Sequence, residues 1–209
     1  MSPHVAGTTP YPWPFDGDLA GTGTALVVVV PDDFAVDPDG HAAEQFDRLA
    51  TAVRRAGGVL VVATTTTPAR PGRSLPDRRA VPGLGAPQAL AGRAPDLAVR
   101  SRGVDAFYGS ELDAELRNRG IRRLLLAGVG LETSVHSTMR DANDRGYECL
   151  LVVDASTPID RTLVDPAVSM IEMSGGIFGA VGRVADVIRA LVPAPEAETD
   201  LTTPQGALT

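Results

Sequence analysis

Lysine is absent from this chain of 209 residues, and all 19 of its basic residues are arginines. Arginine stays protonated in proteins, so it cannot accept a proton as a general base. The absence of lysine therefore excludes a catalytic lysine base, a Schiff base on lysine and a phosphate-binding P-loop that depends on its lysine.

Cysteine is almost absent as well, since Cys149 is the only one. A single cysteine cannot form an intrachain disulfide or a cysteine-based metal cluster, and such sparse use is typical of proteins from the reducing cytoplasm. Cys149 stands in an apolar run, which predicts a buried structural residue. We therefore expect a cytoplasmic protein.

The sequence also lacks the patterns that take a chain to a membrane or to nucleic acid. No apolar run is long enough to cross a bilayer, and residues 1–14 contain no apolar signal region. The net charge is −7 and the arginines are scattered, which argues against a nucleic-acid surface. With 44% hydrophobic residues, the composition predicts one domain with a sizeable core.

Histidine is scarce, and none of the three histidines has a partner at metal-ligand spacing, so we expect no bound metal. His136 lies two residues from Ser134, about 200° around a helix, so we interpret it as a surface or interface residue and not as that serine's base. Gly128 and Gly130 follow a late strand without the third glycine of a dinucleotide fingerprint, so no nucleotide cofactor is predicted.

Apolar and polar segments alternate along the chain as strands and helices do. Residues 1–23 predict an extended arm with its aromatic rings docked on the body, and residues 192–209 predict a flexible tail. In the domain between them, 24–191, we predict strands at 24–30, 59–63, 97–100, 124–127, 148–153 and 175–179. Helices are predicted at 41–55, at 110–119 with Ser110 as cap, between Gly130 and Gly146, at 165–173 and at 181–191. This alternation indicates a three-layer α/β fold with a mostly parallel sheet.

Two segments have the composition of loops. Residues 66–97 hold many prolines, glycines and arginines, and a loop of this length predicts a lid or a subunit contact. Residues 37–40 (Asp-Pro-Asp-Gly) are similar to the start of a calcium loop but lack its closing glutamate. We interpret them as a turn before a helix.

Ligands of parallel α/β sheets bind at the carboxyl ends of the strands, which places three segments around one crevice. These segments are 29–33, 100–102 and 128–134. In the last of them a buried strand passes through Gly128-Val129-Gly130 into a helix whose free N–H groups suit an anion or an oxyanion. Ser134, in or near the first helical turn, is either a nucleophile or a helix cap, and the sequence leaves both open.

The segment from Gly128 to Ala142 resembles the signature of the isochorismatase-like cysteine hydrolases, usually Gly-Val-x-Thr-x-x-Cys-Val-x-x-Thr-x-Arg-Asp-Ala. Matches at 11–14, 25–34, 106–112, 143–149 and 173–179 extend the resemblance over roughly residues 10–191, and three of them resemble most the biuret and ureidoacrylate amidohydrolases. The resemblance implies a Rossmann-like, six-stranded parallel sheet and a dimer or tetramer.

In that family a cysteine thiolate attacks an amide or imide carbon, an aspartate takes the thiol proton and a lysine stabilises both. Alignment of the matching segments puts Val29 at the aspartate position, Ser101 at the lysine position and Ser134 at the cysteine position. No shift of the alignment restores the reactive groups, because the chain has no lysine and Cys149 lies in the next predicted strand.

These replacements predict a catalytically degenerate member of the family, a pseudoenzyme that binds a small molecule or a partner in the ancestral pocket and forms a homo-oligomer. The pocket and its oxyanion turn would comprise Asp32, Arg102, Val129, Gly130 and Ser134. Two alternatives stay open: a divergent enzyme that uses Asp32, Arg102 and Ser134 on a different substrate, and a serine-based C–N amidohydrolase. Asp32 and Glu132 are the candidate bases for Ser134.

Overall fold

A computed structural model describes residues 4–32, 41–66 and 94–191 of the chain. Its strands are β1 (Thr24–Pro31), β2 (Val59–Thr65), β3 (Leu97–Arg100), β4 (Arg123–Val129), β5 (Glu148–Thr157) and β6 (Ala180–Gly182). Its helices are α1 (His41–Arg55), α2 (Leu112–Asn118), α3 (His136–Asp144), α4 (Val164–Glu172) and α5 (Val184–Leu191). None of the helices in these ranges has the length and apolar character needed to span a membrane.

The six strands form one sheet in the order β3-β2-β1-β4-β5-β6, and every neighbouring pair is parallel. The chain builds outward from β1 to β3 and then returns to add β4, β5 and β6 on the other side of β1. The predicted α/β fold with a six-stranded sheet is thereby confirmed. The reversal between β1 and β4 is the place where parallel sheets of this kind bind their ligands.

Two apolar clusters cover the two faces of the sheet. Val27 and Val29 of β1 belong to the cluster that includes side chains of α2, α3 and α4. Leu26, Val28 and Val30 belong to the other cluster, beneath α1 and α5. Every residue of β1 is buried because helices cover both faces, and this double burial explains the continuous apolar run in its sequence.

The region before β6 corrects a prediction. Residues 175–179 were expected to form the last strand, but they form turns, and β6 begins at Ala180. Gly175, Gly176 and Gly179 have φ angles of 65°, 104° and 86°, which the backbone of a strand does not adopt. Helix α5 accordingly begins at Val184 and not at 181.

Other boundaries shift by a few residues. Strand β5 continues past its predicted end at 153 to Thr157, and helix α2 begins at Leu112 and not at 110. The Ser110 hydroxyl still accepts a hydrogen bond from the N–H of Leu112 at 3.2 Å. The helix predicted at 165–173 spans Val164–Glu172, whereas the helix predicted at 41–55 and the strand predicted at 97–100 have the expected bounds.

A buried arginine attaches the N-terminal segment to the sheet. Arg123 opens β4 with its side chain 2% exposed, and its Nη2 donates to the carboxylates of Asp16 and Asp18, each at 3.0 Å. Trp13 is fully buried in the cluster beneath α1 and α5. Phe15 is 80% exposed, so the expectation that all the rings of the arm dock is wrong for this residue. The division into arm, domain and tail stays a prediction.

Some predictions fall outside the described residues. They concern the turn at 37–40, nearly all of the loop at 66–97 and the tail at 192–209. Of the first crevice segment, 29–33, the structure describes the residues up to Asp32.

Strands β4 and β1 approach each other closely at Gly128. A Cβ atom at this position would lie 2.0 Å from the carbonyl oxygen of Val29, its neighbour in β1, and the φ angle of Gly128 is 135°. A side chain at position 128 therefore requires the backbone of β1 to move.

We expect Gly128→Ala to lower the free energy of unfolding by about 3 kcal/mol or more, because the added methyl group must displace β1. Gly146→Ala is the matched control, since Gly146 also has a positive φ (85°) but no atom within 4 Å of its Cβ position. Backbone strain alone should cost that variant about 1–2 kcal/mol. Urea unfolding followed by circular dichroism measures both, and equal losses would contradict the close contact at Gly128.

Candidate functional site

The turn after β4 leads into a π-helical segment, Leu131–Val135. Gly130 precedes it in the left-handed conformation (φ 77°, ψ 57°), and its N–H donates to the carbonyl of Thr157 at 2.8 Å. The carbonyl of Gly130 accepts hydrogen bonds from the N–H groups of Thr133 and Val135, both at 3.0 Å. The sequence predicted the strand, the turn and the helix here, but it did not predict the wide π turn, a feature often found at functional sites.

Ser134 lies inside this π turn and is 5% exposed. Its carbonyl accepts a hydrogen bond from the hydroxyl of Thr138 at 2.8 Å, and the same hydroxyl accepts the N–H of Ala106 at 3.0 Å. The turn is thereby tied to the segment that precedes α2. The hydroxyl of Ser134 makes no hydrogen bond to any residue in the described ranges, so the structure does not support its role as a helix cap.

Val29 is completely buried near the end of β1. It belongs to the same apolar cluster as Leu131 and Val135 of the π turn. The position that would carry the proton acceptor is thus filled by a hydrocarbon side chain, which can neither take a proton nor orient a nucleophile.

Ser101 is also buried, with 1% of its surface exposed. Its hydroxyl donates to the carbonyl of Gly103 at 2.9 Å, so it stabilises the loop after β3. A neutral hydroxyl that is engaged in this way does not replace the positive charge of a lysine.

Arg102 follows Ser101 and is exposed, and its backbone N–H donates to the carbonyl of Tyr108 at 2.9 Å. Both residues line a cavity of about 520 Å³ at this edge of the sheet, together with Thr66, Arg100 and Ser110. Val129, Gly130 and Ser134 are not among the described residues that line it.

Asp32 is paired with Arg100. Its Oδ2 atom accepts hydrogen bonds from Nη1 of Arg100 at 3.0 Å and from the hydroxyl of Thr66 at 3.2 Å. These three residues follow or end the neighbouring strands β1, β2 and β3, so the carboxyl ends of those strands meet as expected. The sequence singled out Arg102 as a site residue, but the partner of Asp32 is Arg100, and Thr66 was not predicted at all.

Glu132, the other candidate base, stabilises the loop after β5. Its carboxylate accepts the N–H of Ile159 at 2.9 Å and the N–H of Asp160 at 2.7 Å. Within the described residues, no hydrogen bond or ion pair joins Ser134 to Glu132, Asp32 or Arg102. The candidate site residues therefore share one edge of the sheet but do not form a connected catalytic set.

His136 is buried within the chain, so the surface alternative of its prediction is wrong and the interface alternative stays a prediction. It is the first residue of α3, and its Nε2 atom has no hydrogen-bond partner in the described structure. Arg140 lies one helical turn further on, with its guanidinium 3.4 Å from the centre of the Phe178 ring. Burial, and then the charge of Arg140, hold the pKa of His136 below its ordinary value of 6.5, so the imidazole is neutral at pH 7.

Cys149 is fully buried near the start of β5, as predicted, and burial raises the pKa of its thiol. A thiol in this state is not a nucleophile at neutral pH. The described residues contain no cluster of three or more histidine, cysteine or acidic side chains able to hold a metal ion.

Comparison with known proteins gives the family. A family model described as the isochorismatase domain matches residues 26–186, which is most of the chain. The chain belongs to the isochorismatase family. This result confirms the resemblance of the sequence motifs to that family.

Several known proteins match parts of the sequence. The ureidoacrylate amidohydrolase RutB of Variovorax paradoxus is 34% identical over 100 residues, which cover 47% of this chain and 38% of that protein. An uncharacterised isochorismatase family protein of Bacillus subtilis, YwoC, is 40% identical over 60 residues, or 29% of this chain and 32% of that protein. The matches thus span about a third of the length of these relatives.

Solved structures of the family share the fold. An isochorismatase family protein from Burkholderia thailandensis aligns with a TM-score of 0.64 at 25% identity, over 81% of this chain and 96% of that one. A nicotinamidase from Staphylococcus aureus aligns with a TM-score of 0.58 at 20% identity, over 78% of this chain and 99% of that one. The second likeness concerns the fold alone.

The buried, neutral state of His136 should make the fold sensitive to mild acid. As the pH falls below about 6.5, the unfolded chain protonates His136 more readily than the folded chain does, so the folded state loses stability. We expect the loss between about pH 7.5 and pH 5 to be smaller in a His136→Gln variant, which has no proton to gain there.

Urea unfolding of both proteins across this pH range measures the difference. His4 and His41 are present in both proteins and serve as internal controls. Parallel pH profiles for the wild type and His136→Gln would contradict a depressed pKa at His136.

Proposed function

We propose that this isochorismatase-family protein is a pseudoenzyme that binds a small carboxylate-bearing molecule at the carboxyl edge of the sheet and does not hydrolyse it. The observation that carries this proposal is the environment of Val29, a fully buried hydrocarbon side chain at the position where the family resemblance expects the proton acceptor. Without a group that takes its proton, the hydroxyl of Ser134 is a weak nucleophile.

The engagement of the two remaining carboxylates supports the loss of catalysis. Asp32 is bound by Arg100 and Thr66, and Glu132 accepts backbone N–H groups of the loop after β5. Hydrogen bonds and a nearby positive charge stabilise a carboxylate in its ionised form, which makes it a weaker base. Either group would have to leave these partners before it could deprotonate Ser134.

The arginines at the edge of the sheet support a negatively charged ligand. Arg102 lines the cavity of about 520 Å³ and makes no ion pair with any residue in the described ranges. A guanidinium group binds a carboxylate through two parallel hydrogen bonds. Ureidoacrylate, the compound named for the RutB relatives, combines a carboxylate with a ureido group, and this is the class of ligand that we propose.

A serine-based amidohydrolase is the second candidate. The hydroxyl of Ser134 is free of described hydrogen-bond partners and lies in a π turn at the helix start, which favours this alternative. A divergent enzyme with Arg102 and Asp32 in new roles would require the ion pair between Asp32 and Arg100 to open. The predicted homo-oligomer and the absence of a cofactor stay predictions.

Binding and turnover of ureidoacrylate separate these functions. We expect isothermal titration to detect binding, and an Arg102→Gln variant to bind about 5–10-fold more weakly because one charge-assisted contact is lost. Arg119→Gln is the control, because Arg119 pairs with Glu115 on the surface of α2. We expect ammonia release from ureidoacrylate, biuret and nicotinamide to stay at the level of a Ser134→Ala variant.

Turnover by the wild type that Ser134→Ala abolishes would overturn the pseudoenzyme and establish the amidohydrolase. Equal binding by the wild type, Arg102→Gln and Arg119→Gln would overturn the proposed ligand site. An absence of binding together with an absence of turnover would overturn the ligand class.

A further inference from the structure

A second pocket lies at the opposite edge of the sheet, where the strands begin. Its volume is about 380 Å³, and three parts of the chain form it: the N-terminal segment, the junction of α3 with β5, and the turn between α4 and β6. Tyr11, Phe15, Asn143, Glu148 and Gly176 are among its lining residues. We call this site the amino-edge pocket. It shares no lining residue with the cavity at the carboxyl edge.

The amino-edge pocket contains a carboxylate that forms no ion pair within the described residues. Glu148 is the first residue of β5 and accepts the backbone N–H of Phe15. Arg123 is the residue of β4 opposite Glu148, and its Nη2 atom forms ion pairs with Asp16 and Asp18. No described arginine or histidine forms an ion pair with Glu148. Burial is the main cause that raises the pKa of Glu148, and the charge of Asp16 adds to it, whereas the hydrogen bond from Phe15 and the charges of Arg123 and His4 act in the opposite direction.

Two aromatic rings stand beside this carboxylate. The rings of Tyr11 and Phe15 meet edge to face, with 5.9 Å between their centres and an angle of 74° between their planes. The Cβ position of Gly176 lies 3.1 Å from the Tyr11 ring, so the absence of a side chain there lets the ring lie against the turn. Tyr11 and Glu148 line the same pocket, and burial, followed by the charge of Glu148, raises the pKa of the Tyr11 hydroxyl.

The packing of the described residues does not explain why the ring of Phe15 is exposed. The ring is 80% exposed, while Trp13, two residues earlier, is completely buried. The backbone of Phe15 is nevertheless held in place by its hydrogen bond to Glu148. The exposed ring of Phe15 therefore lines the pocket from a backbone position that Glu148 holds.

We propose that the amino-edge pocket binds a small organic ammonium ion, with the charged nitrogen at Glu148 and the apolar part against Tyr11 and Phe15. Aromatic faces attract cations, and a partly desolvated carboxylate that forms no ion pair with a described residue strengthens that attraction. The negative charge of Glu148 would repel an anion, and a neutral molecule would not neutralise that charge. The site is separate from the proposed carboxylate site, so its test is independent of the proposed function.

Benzylammonium is the probe, because benzyl alcohol and benzoate have the same ring with no charge and with negative charge. We expect the full chain to bind benzylammonium with a dissociation constant in the range of about 1–10 mM, as a few contacts of this kind allow. Benzyl alcohol should bind at least about fivefold more weakly, and benzoate should not bind at the amino-edge pocket. Chemical-shift changes of the protein amides on titration locate the binding and measure its strength.

Two variants connect the binding to the pocket. Glu148→Gln removes the charge and keeps an oxygen that can accept the N–H of Phe15, and we expect it to weaken benzylammonium binding at least about fivefold. Phe15→Ala removes an exposed ring and should also weaken it, without a change in stability. Glu111→Gln is the control, since Glu111 lines the cavity at the other edge of the sheet.

Trp13, the only tryptophan, reports on the folded state of each variant, because its fluorescence would shift if the N-terminal segment detached. Retained Trp13 emission together with weaker binding in both Glu148→Gln and Phe15→Ala supports the proposal. Wild-type affinity in both variants, equal affinity for benzylammonium and benzyl alcohol, or no shift changes at the pocket up to about 20 mM probe would overturn it.

Discussion

At Gly128 the two central strands approach so closely that a Cβ atom would lie 2.0 Å from the carbonyl oxygen of Val29. This contact determines the direction in which the chain leaves the sheet after β4. Two residues later Gly130 turns the chain into the π-helical segment that holds Ser134. The position of the candidate site therefore depends on a backbone contact between β1 and β4, and the side chains of the site are added to a frame that the backbone already defines.

The groups around this frame make structural contacts in the folded protein. Val29 contributes to the apolar core, Ser101 holds the loop after β3, and Glu132 holds the loop after β5. Asp32 is joined to Arg100. Each of these contacts stabilises the folded protein. In each case the side chain is either apolar or already bonded, so it is not free to take part in a hydrolytic mechanism. These contacts support the proposal that this isochorismatase-family protein holds a ligand and does not cleave it.

Much of the fold could be predicted because burial on both faces of a parallel sheet leaves a strong signal in the sequence. The strand at 24–30 and the helix at 41–55 are examples, since the first is continuously apolar and the second has its apolar residues on one face. The strand expected at 175–179 was wrong because Ile177 and Phe178 look like strand residues, whereas the glycines around them adopt left-handed conformations. His136 was expected at the surface because its burial depends on segments that lie far away in the chain.

The position of the candidate site could be predicted from the sequence, but the ion pair and hydrogen bonds of Asp32 could not. The carboxyl ends of the strands meet wherever the sheet is parallel, so Asp32 and the arginines after β3 had to share an edge. Which arginine pairs with Asp32 depends on side-chain direction: Arg100 and not Arg102 makes the ion pair, and Thr66 joins it from β2. The amino-edge pocket had no signal in any one segment, because its walls come from three distant parts of the sequence.

The reactivity of Ser134 tests the central claim most directly. Incubation with a small organophosphorus reagent that labels activated serines, followed by intact-protein and peptide mass spectrometry, measures whether this hydroxyl is a nucleophile. A Ser134→Cys variant treated with iodoacetamide shows that small reagents reach the position, since Cys149 is fully buried. We expect an unchanged wild-type mass and an alkylated Cys variant. A single stoichiometric adduct on the wild-type peptide that contains Ser134 would contradict it.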